Sequence, residues 1–563
     1  GALIAMDSRG TVDKGKVSDD ILQSHTNAPY GVRIDTPKLL DEFHRLYADP
    51  SPALIVVDFG DTYRADVYSW LSVEEVALRH KQTALQRADA LIGKILRVLH
   101  RERDLLLVFA LSTPRRHAGE MLPVMAWGKD IKPQTYLTSG STRRAGFITP
   151  ADVTATVAQF LGASPGANVL GRAVSTEVAP QPTPQRLQRL ARYNRLIVIT
   201  DRGLRFGVFV AFALLEAAVL LACVLVLTFP SFASWRVKTA LRRWLAVVAL
   251  LPFAIHFVNA MAPLSFEMGG GSVLIALICT ACWTFLVWTG SKNSDNRLQL
   301  LLSASGVVLM IGGLATRFYT EFNTIFGYSS YFGGRYYGLG NATTSLLLGW
   351  SIATVGMMSG KLSRLQLTMM ILLFTLITGI IAFPQAGADA GGAVGAVAMF
   401  VPMWFVAKGV GLNSKKAWRT VVALFAILAI VLVLVSILDM RRPPEGRSHL
   451  GRLVADMQVQ GVAPLADMFV TKARVWGRTF GHWHWDVCLL AVVLTTVWLL
   501  TGLRSRLIPL LVARPALNAL LYGGIIGTVI TFLLNDSGPL IACLMGLYVL
   551  SPPLYLMLKE ETT

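Results

Sequence analysis

The sequence predicts a polytopic α-helical membrane bundle of eleven transmembrane helices with an N-terminal extracytoplasmic α/β domain. Three observations carry that expectation. A polar region ending near residue 204 precedes a series of apolar stretches, each long enough to cross a bilayer. The basic residues between those stretches alternate from loop to loop. The polar region itself alternates short apolar runs with amphipathic helical patterns.

A membrane helix needs about 20 mostly apolar residues to span the hydrocarbon core. Spans are expected near 206–229, 244–262, 272–290, 298–316, 342–359, 365–384, 390–410, 418–438, 485–503, 516–534 and 538–558. Loops after odd-numbered spans hold Arg236, Lys238, Arg242, Arg243, Lys292, Arg297, Lys361, Arg364, Lys408, Lys415, Lys416, Arg419, Arg504, Arg506 and Arg514. The short loops after even spans hold Arg317 and Arg335 alone. Lys and Arg are retained on the cytoplasmic side. Residues 1–204 are therefore expected outside the cytoplasm and the C-terminus (Lys559, Glu560, Glu561) inside.

Composition agrees with a membrane protein: 53% of residues are hydrophobic and the mean hydropathy is positive. The net charge of +18 would suggest nucleic acid in a soluble chain, but basic inner loops and anionic headgroups account for it, so no nucleic-acid partner is expected. The five cysteines, Cys223, Cys279, Cys282, Cys488 and Cys543, all fall inside spans, which argues against a disulfide framework outside. Gly1 is not an initiator Met and no signal peptide follows it. An exported N-terminal domain needs one, so the natural polypeptide is expected to begin upstream.

The first domain is read as residues 1–178, with apolar runs at 2–5, 53–58, 105–110 and 122–127 as short strands and helices over 73–100 and 151–162. The segment Thr138-Ser139-Gly140-Ser141-Thr142-Arg143-Arg144-Ala145-Gly146-Phe147 precedes Asp152-Val153-Thr154-Ala155-Thr156 and Phe160-Leu161-Gly162. With Val56-Val57-Asp58-Phe59-Gly60-Asp61-Thr62-Tyr63-Arg64-Ala65-Asp66, it resembles the C-terminal part of alkaline-phosphatase-superfamily domains over about residues 1–175. The resemblance implies a two-metal hydrolase fold. This chain departs from it where an Asp-His pair should stand: Phe109-Ala110-Leu111-Ser112-Thr113-Pro114 has neither, and only His117 and Glu120 follow. Zinc needs three or four converging ligands. Asp58, Asp61, Asp66 and His117 are the one set that could assemble; the structural alternative is that Asp58 and Asp61 cap a turn. No metal, cofactor or phosphatase turnover is expected of this domain.

Residues 179–204 form a proline-rich joint and a short helix in which Arg186, Arg189, Arg192 and Arg195 recur every three residues, suited to headgroups or to a solvated linker. The membrane domain, 205–563, places its chemistry in outer loops 317–341 and 439–484. Arg317 and the string Gly333-Gly334-Arg335-Tyr336-Tyr337-Gly338-Leu339-Gly340-Asn341 combine glycines that admit a ligand, an arginine suited to bidentate phosphate contact and tyrosines that stack on sugars. The structural alternative is an aromatic belt with glycine turns. The string weakly resembles an outer segment of O-antigen ligases and lipid-linked glycan polymerases. Loop 439–484 adds Arg474 and Arg478 on amphipathic helices, and His482-Trp483-His484-Trp485, which reads as interfacial anchoring rather than a metal pair. Asn535-Asp536-Ser537-Gly538 puts a carboxylate between two spans, as a base or as a helix cap. Catalytic roles fall to Asp536 and Arg335, and substrate contacts to Arg335, Tyr336, Tyr337, Asn341, Arg317, Arg474, Arg478 and Asn535. Gly391 and Gly395 form a small-xxx-small pattern for helix packing.

Three function classes follow. The first handles a phosphate-bearing lipid or lipid-linked glycan at the outer face of a bacterial envelope. The second is a structural or docking subunit that binds other membrane subunits or an upstream part of the same protein. The third is a transporter or channel. His256 reads as the main titratable group within a span, and the scarcity of mid-span charge argues against ion-coupled transport.

Overall fold

The computed structural model describes residues 2–265, 295–410 and 449–560, apart from short gaps at 7–8, 52, 112, 114–119, 164–170, 180, 316–320, 330, 332–335 and 384, and isolated positions between 419 and 441. The chain divides into two compact units, Gly1–Leu190 and Ala191–Thr563.

The first unit joins helices to three separate two-stranded antiparallel pairs: β1 (Leu22–Ser24) with β2 (Val32–Ile34), β3 (Leu105–Phe109) with β4 (Val124–Gly128), and β5 (Thr135–Ser139) with β6 (Val174–Val178). The expected strands at 105–110 and 122–127 form, in the register Leu105↔Gly128 to Phe109↔Val124. The other two expectations are corrected: 2–5 is a helical turn, and 53–58 joins no ladder. Short apolar runs do not by themselves distinguish strand from helix, and neither run has a partner strand to pair with. Among the described residues no single sheet unites the strands.

Among the described residues, four longer helices accompany them, α1 (Thr36–Tyr47), α2 (Asp61–Tyr68), α3 (Glu74–Leu96) and α4 (Pro150–Phe160), and α5 (Thr183–Val198) runs across the boundary at residue 190. Asp35 caps α1 by accepting from Lys38 N–H at 3.2 Å. One apolar core gathers Ile34, Leu39, Leu40, Phe43, Leu91 and Ile95 from β2, α1 and α3.

In the second unit a π-helical turn (Ile199–Leu204) leads into α6 (Arg205–Thr228). There follow α7 (Trp235–Ser265), α8 (Asp295–Ala315), α9 (Asn341–Gly356), α10 (Arg364–Ala382), α11 (Ala390–Ala407), α12 (His449–Gln460), α13 (Ala463–Thr479), α14 (Trp483–Leu500), α15 (Arg504–Ala513), α16 (Pro515–Leu534) and α17 (Pro539–Glu560). Seven described helices are long and apolar enough to cross a membrane. The chain is a multi-pass helical membrane protein. Expected span 272–290 lies outside the described residues, as does 418–438 apart from isolated positions, and α9, at 16 residues, is short for a crossing.

Burial ranks the helices by place. The apolar window of α17 is 94% buried and that of α10 only 28%, so α17 is the central column and α10 is peripheral. Small residues bring α11 and α16 together from both sides. A Cβ at Gly395 would overlap Thr531 Oγ1, one at Gly391 would lie 3.2 Å from Asn535 Oδ1, and Cβ atoms at Gly523 and Gly527 would meet Met403 and Met399. The glycine pattern is a packing device, as its spacing predicts.

Candidate functional site

In the first unit the Ser-Thr-Arg-Arg motif builds a structural hub on Asp152, which is fully buried. Its carboxylate accepts from Ser139 Oγ (2.8 Å), Ser141 Oγ (2.6 Å), Thr149 N–H (2.7 Å) and Arg172 N–H (2.8 Å). Thr156 Oγ1 donates to Asp152 O at 2.6 Å and accepts from Val174 N–H at 2.9 Å, tying α4 to β6. Ionised acceptors bound by several donors are among the strongest local fasteners.

Among the described residues, no three of the candidate metal ligands converge, and two of the carboxylates are engaged by cations. Asp61 accepts from Ile34 N–H (2.9 Å) and pairs with Arg64 and Arg87; Asp66 pairs with Lys81 at 2.6 Å. Carboxylates engaged by cations are poor ligands. His117 lies outside the described residues. Two of the four expected headgroup arginines are engaged within this unit: Arg186 donates to Thr135 O at 2.9 Å and Arg189 sits 5.9 Å over the Tyr136 ring.

In the bundle, one end concentrates the carboxylates. Asn341, at the start of α9, donates through its side-chain amide to Asp536 Oδ1 (2.6 Å) and Ser537 Oγ (2.7 Å). Two residues expected to share a site therefore meet across 195 positions of sequence. Asp536 is exposed and its carboxylate is open to a ligand. Its Oδ1 is engaged by Asn341. Asn535 is buried and donates to Thr531 O at 3.2 Å, so it serves the α16 terminus. A Cβ at Gly538 would overlap Thr479 Oγ1. That brings the Arg478 end of α13 to the 535–538 turn. Arg474 and Arg478 are both exposed.

The loops around Asn341 are held by tight backbone approach. Leu339 N–H donates to Gly387 O at 2.8 Å, and Gly338 lies at φ +79, where a Cβ would overlap the same carbonyl. Only glycine fits there. Asp389 caps α11 by accepting from Gly392 N–H (2.9 Å) and takes Thr344 Oγ1 at 3.0 Å, joining α9 to α11. Tyr336 is buried and Tyr337 half-buried beside these loops. Arg317 and Arg335 lie outside the described residues.

Sequence reasoning missed two features of this end. Arg205 donates to Thr324 O, Ile325 O and Gly327 O, each at 2.9 Å, while pairing with Asp201 at 2.8 Å; Asp201 in turn accepts from Ser329 Oγ at 2.5 Å. One guanidinium, with its fork of donors, thus fixes the 324–329 loop. In a second, buried pairing, His256 Nε2 lies 3.1 Å from Glu321 Oε1, and Thr343 Oγ1 donates to Glu321 Oε2 at 2.5 Å. His256 and Glu321 stand in the sequence as isolated polar residues, and nothing short of the fold pairs them.

No family model, no curated protein and no solved structure matches this chain. The site is therefore interpreted from its own geometry.

Proposed function

We propose that this is a bacterial cell-envelope membrane protein that handles a phosphate-bearing lipid or lipid-linked glycan at the outer face of the cytoplasmic membrane. In this reading the bundle has eleven crossings, the first unit is an extracytoplasmic, degenerate phosphatase-like α/β domain, and the C-terminus is cytoplasmic. The observation that carries the reading is the junction of Asn341 with Asp536 and Ser537, next to the exposed arginines of α13. It joins an accessible carboxylate, an amide and guanidinium groups at one end of an apolar bundle. A phosphorylated lipid needs that combination: cations for the phosphate, a polar seat for its oxygens and hydrocarbon for its tail.

The test is binding of an undecaprenyl phosphate to the full chain in nanodiscs. Arg335→Lys and Arg478→Ala weaken it, because an ammonium cannot make the bidentate contact and alanine makes none. Loss of one charge-assisted hydrogen bond at Arg335 is worth about 1.5–3 kcal/mol, or about 10- to 150-fold in affinity. Unchanged binding in both variants refutes the reading and leaves the docking-subunit alternative in front.

A further inference from the structure

The expectation that His256 is the main titratable group within a span is overturned by Glu216. It is the twelfth of 24 residues in α6 and fully buried; no cation and no nitrogen or oxygen donor meets its carboxyl oxygens, and the polar group that approaches them is the Cys488 thiol. At 1.5 Å rise per residue it lies about 16–18 Å from either end of the helix, the middle of a bilayer-spanning element. An unpaired carboxylate at that depth is costly, and a chain using this position for packing alone would place an apolar residue there.

The surrounding helices are not uniformly apolar. On α14, His484, Cys488 and Thr495 are buried, and 488 and 495 share a helix face at a spacing of seven. His484 Nδ1 and Thr495 Oγ1 are buried without a hydrogen-bond partner. Cys488 faces Glu216 from α14, and Cys543 and Tyr548 are its neighbours on α17. Cys543 Sγ donates to Trp485 O at 3.5 Å and Tyr548 Oη to Ala249 O at 2.8 Å. Among the described residues, the remaining charged or titratable groups on helices packed against α6 are Asp486 near the start of α14, Lys559 and Glu560 at the end of α17, Arg236, Lys238, Arg242 and Arg243 in the first turns of α7, and His256 farther along α7, where it pairs with Glu321. No cation among them is paired with Glu216.

We propose that Glu216 is a proton-binding site at the middle of the bundle, reached from the His484 end along the buried polar face of α14. Binding adds one proton to a carboxylate oxygen and removes the charge; release returns the proton to water at that end. The site gives the bundle a proton-linked step beyond the handling of lipid.

The experiment is infrared difference spectroscopy of the full chain in nanodiscs, following the carboxyl C=O stretch during exchange from H2O to D2O. Wild type is expected to show a band that shifts on exchange. Glu216→Gln lacks it, and Glu216→Asp displaces it, which keeps the assignment open to test if the amide variant folds poorly. His484→Phe is expected to slow the exchange. A wild-type spectrum identical to that of Glu216→Gln overturns the proposal, because no proton then sits on Glu216. A band that persists unshifted in D2O also overturns it, as a sealed structural acid. Exchange as fast in His484→Phe as in wild type refutes the route.

Discussion

The two ends of the bundle differ in charge, one holding carboxylates together with arginines and the other mostly cations, and they are built by different means. One end gathers Asp201, Glu321, Asp389 and Asp536, and holds its loops with hydrogen bonds from Arg205, Thr343, Thr344 and Asn341. The other gathers Arg236, Lys238, Arg242, Arg243, Lys361, Arg364, Lys408, Arg504, Arg506 and Arg514. There the cations lie over aromatic rings, Arg242 at 5.6 Å from Tyr555 and Lys408 at 4.8 Å from Trp404, or cap carbonyls, as Arg506 does with Leu227 O at 2.9 Å. Carboxylates that lock irregular backbone define a site of fixed shape. Cations at a helix-end surface set orientation and adhesion to anionic headgroups without needing one geometry. In the proposed reading, specificity belongs to the first end and orientation in the membrane to the second.

The largest effect should come from the wall behind the specific end. Gly395→Leu drives a branched side chain into Thr531, and overpacking of this kind costs about 1–3 kcal/mol or more. Loss of monodisperse protein by size exclusion is the expected result; a well-folded variant would mean that α11 and α16 separate easily. Next comes Arg205→Lys, which abandons carbonyls of the 324–329 loop. A destabilisation of about 1.5–3 kcal/mol is expected, measured as a lower Tm in detergent.

The first unit offers a pH test independent of the bundle. Burial alone would raise the Asp104 carboxyl, but hydrogen bonds from Tyr47 Oη (2.5 Å), His100 N–H (2.7 Å) and Arg103 outweigh it and hold the group below the usual carboxylate range. Hydrogen bonds from Lys14 and Ser51 hold Asp49 well below that range too. A depressed carboxyl lends stability above its unfolded value, near 4, and that stability is lost as pH falls through the folded value. The unit's unfolding temperature should therefore drop on acidification below about pH 4, and Asp104→Asn should flatten that response. The smallest effect is expected at the basic end. Arg504 is exposed, and Arg504→Ala should shift stability by less than about 0.5 kcal/mol. A large drop there would break the contrast between the ends.

How much of this was legible in the sequence follows from the range of each interaction. Apolar length located α6, α10, α11, α14, α16 and α17, because crossing a bilayer is a local property of about 20 residues. The small-xxx-small spacing of Gly391 and Gly395 gave a packing face for the same reason. The pairing of Asn341 with Asp536 was reached only as two residues on one side of the membrane; their contact depends on how α9 and α17 pack. Arg205 was passed over as the first residue of the membrane domain, since nothing local shows that three carbonyls lie within its reach. Glu216 was legible and overlooked: one carboxylate within α6 barely alters the hydropathy of its window, although its cost there is high. In the first unit, single apolar runs at 2–5 and 53–58 lacked the partner that makes a strand.

The central claim is that the carboxylate end faces out of the cell and the basic end faces in. Cysteine accessibility in intact cells tests it directly. Val459→Cys lies on exposed α12 and Ser363→Cys lies in the exposed turn before α10, while Cys223, Cys488 and Cys543 are buried. A membrane-impermeant thiol reagent should label Val459→Cys and leave Ser363→Cys unlabelled until the cells are opened. Labelling of Ser363→Cys alone in intact cells would invert the bundle and contradict the account.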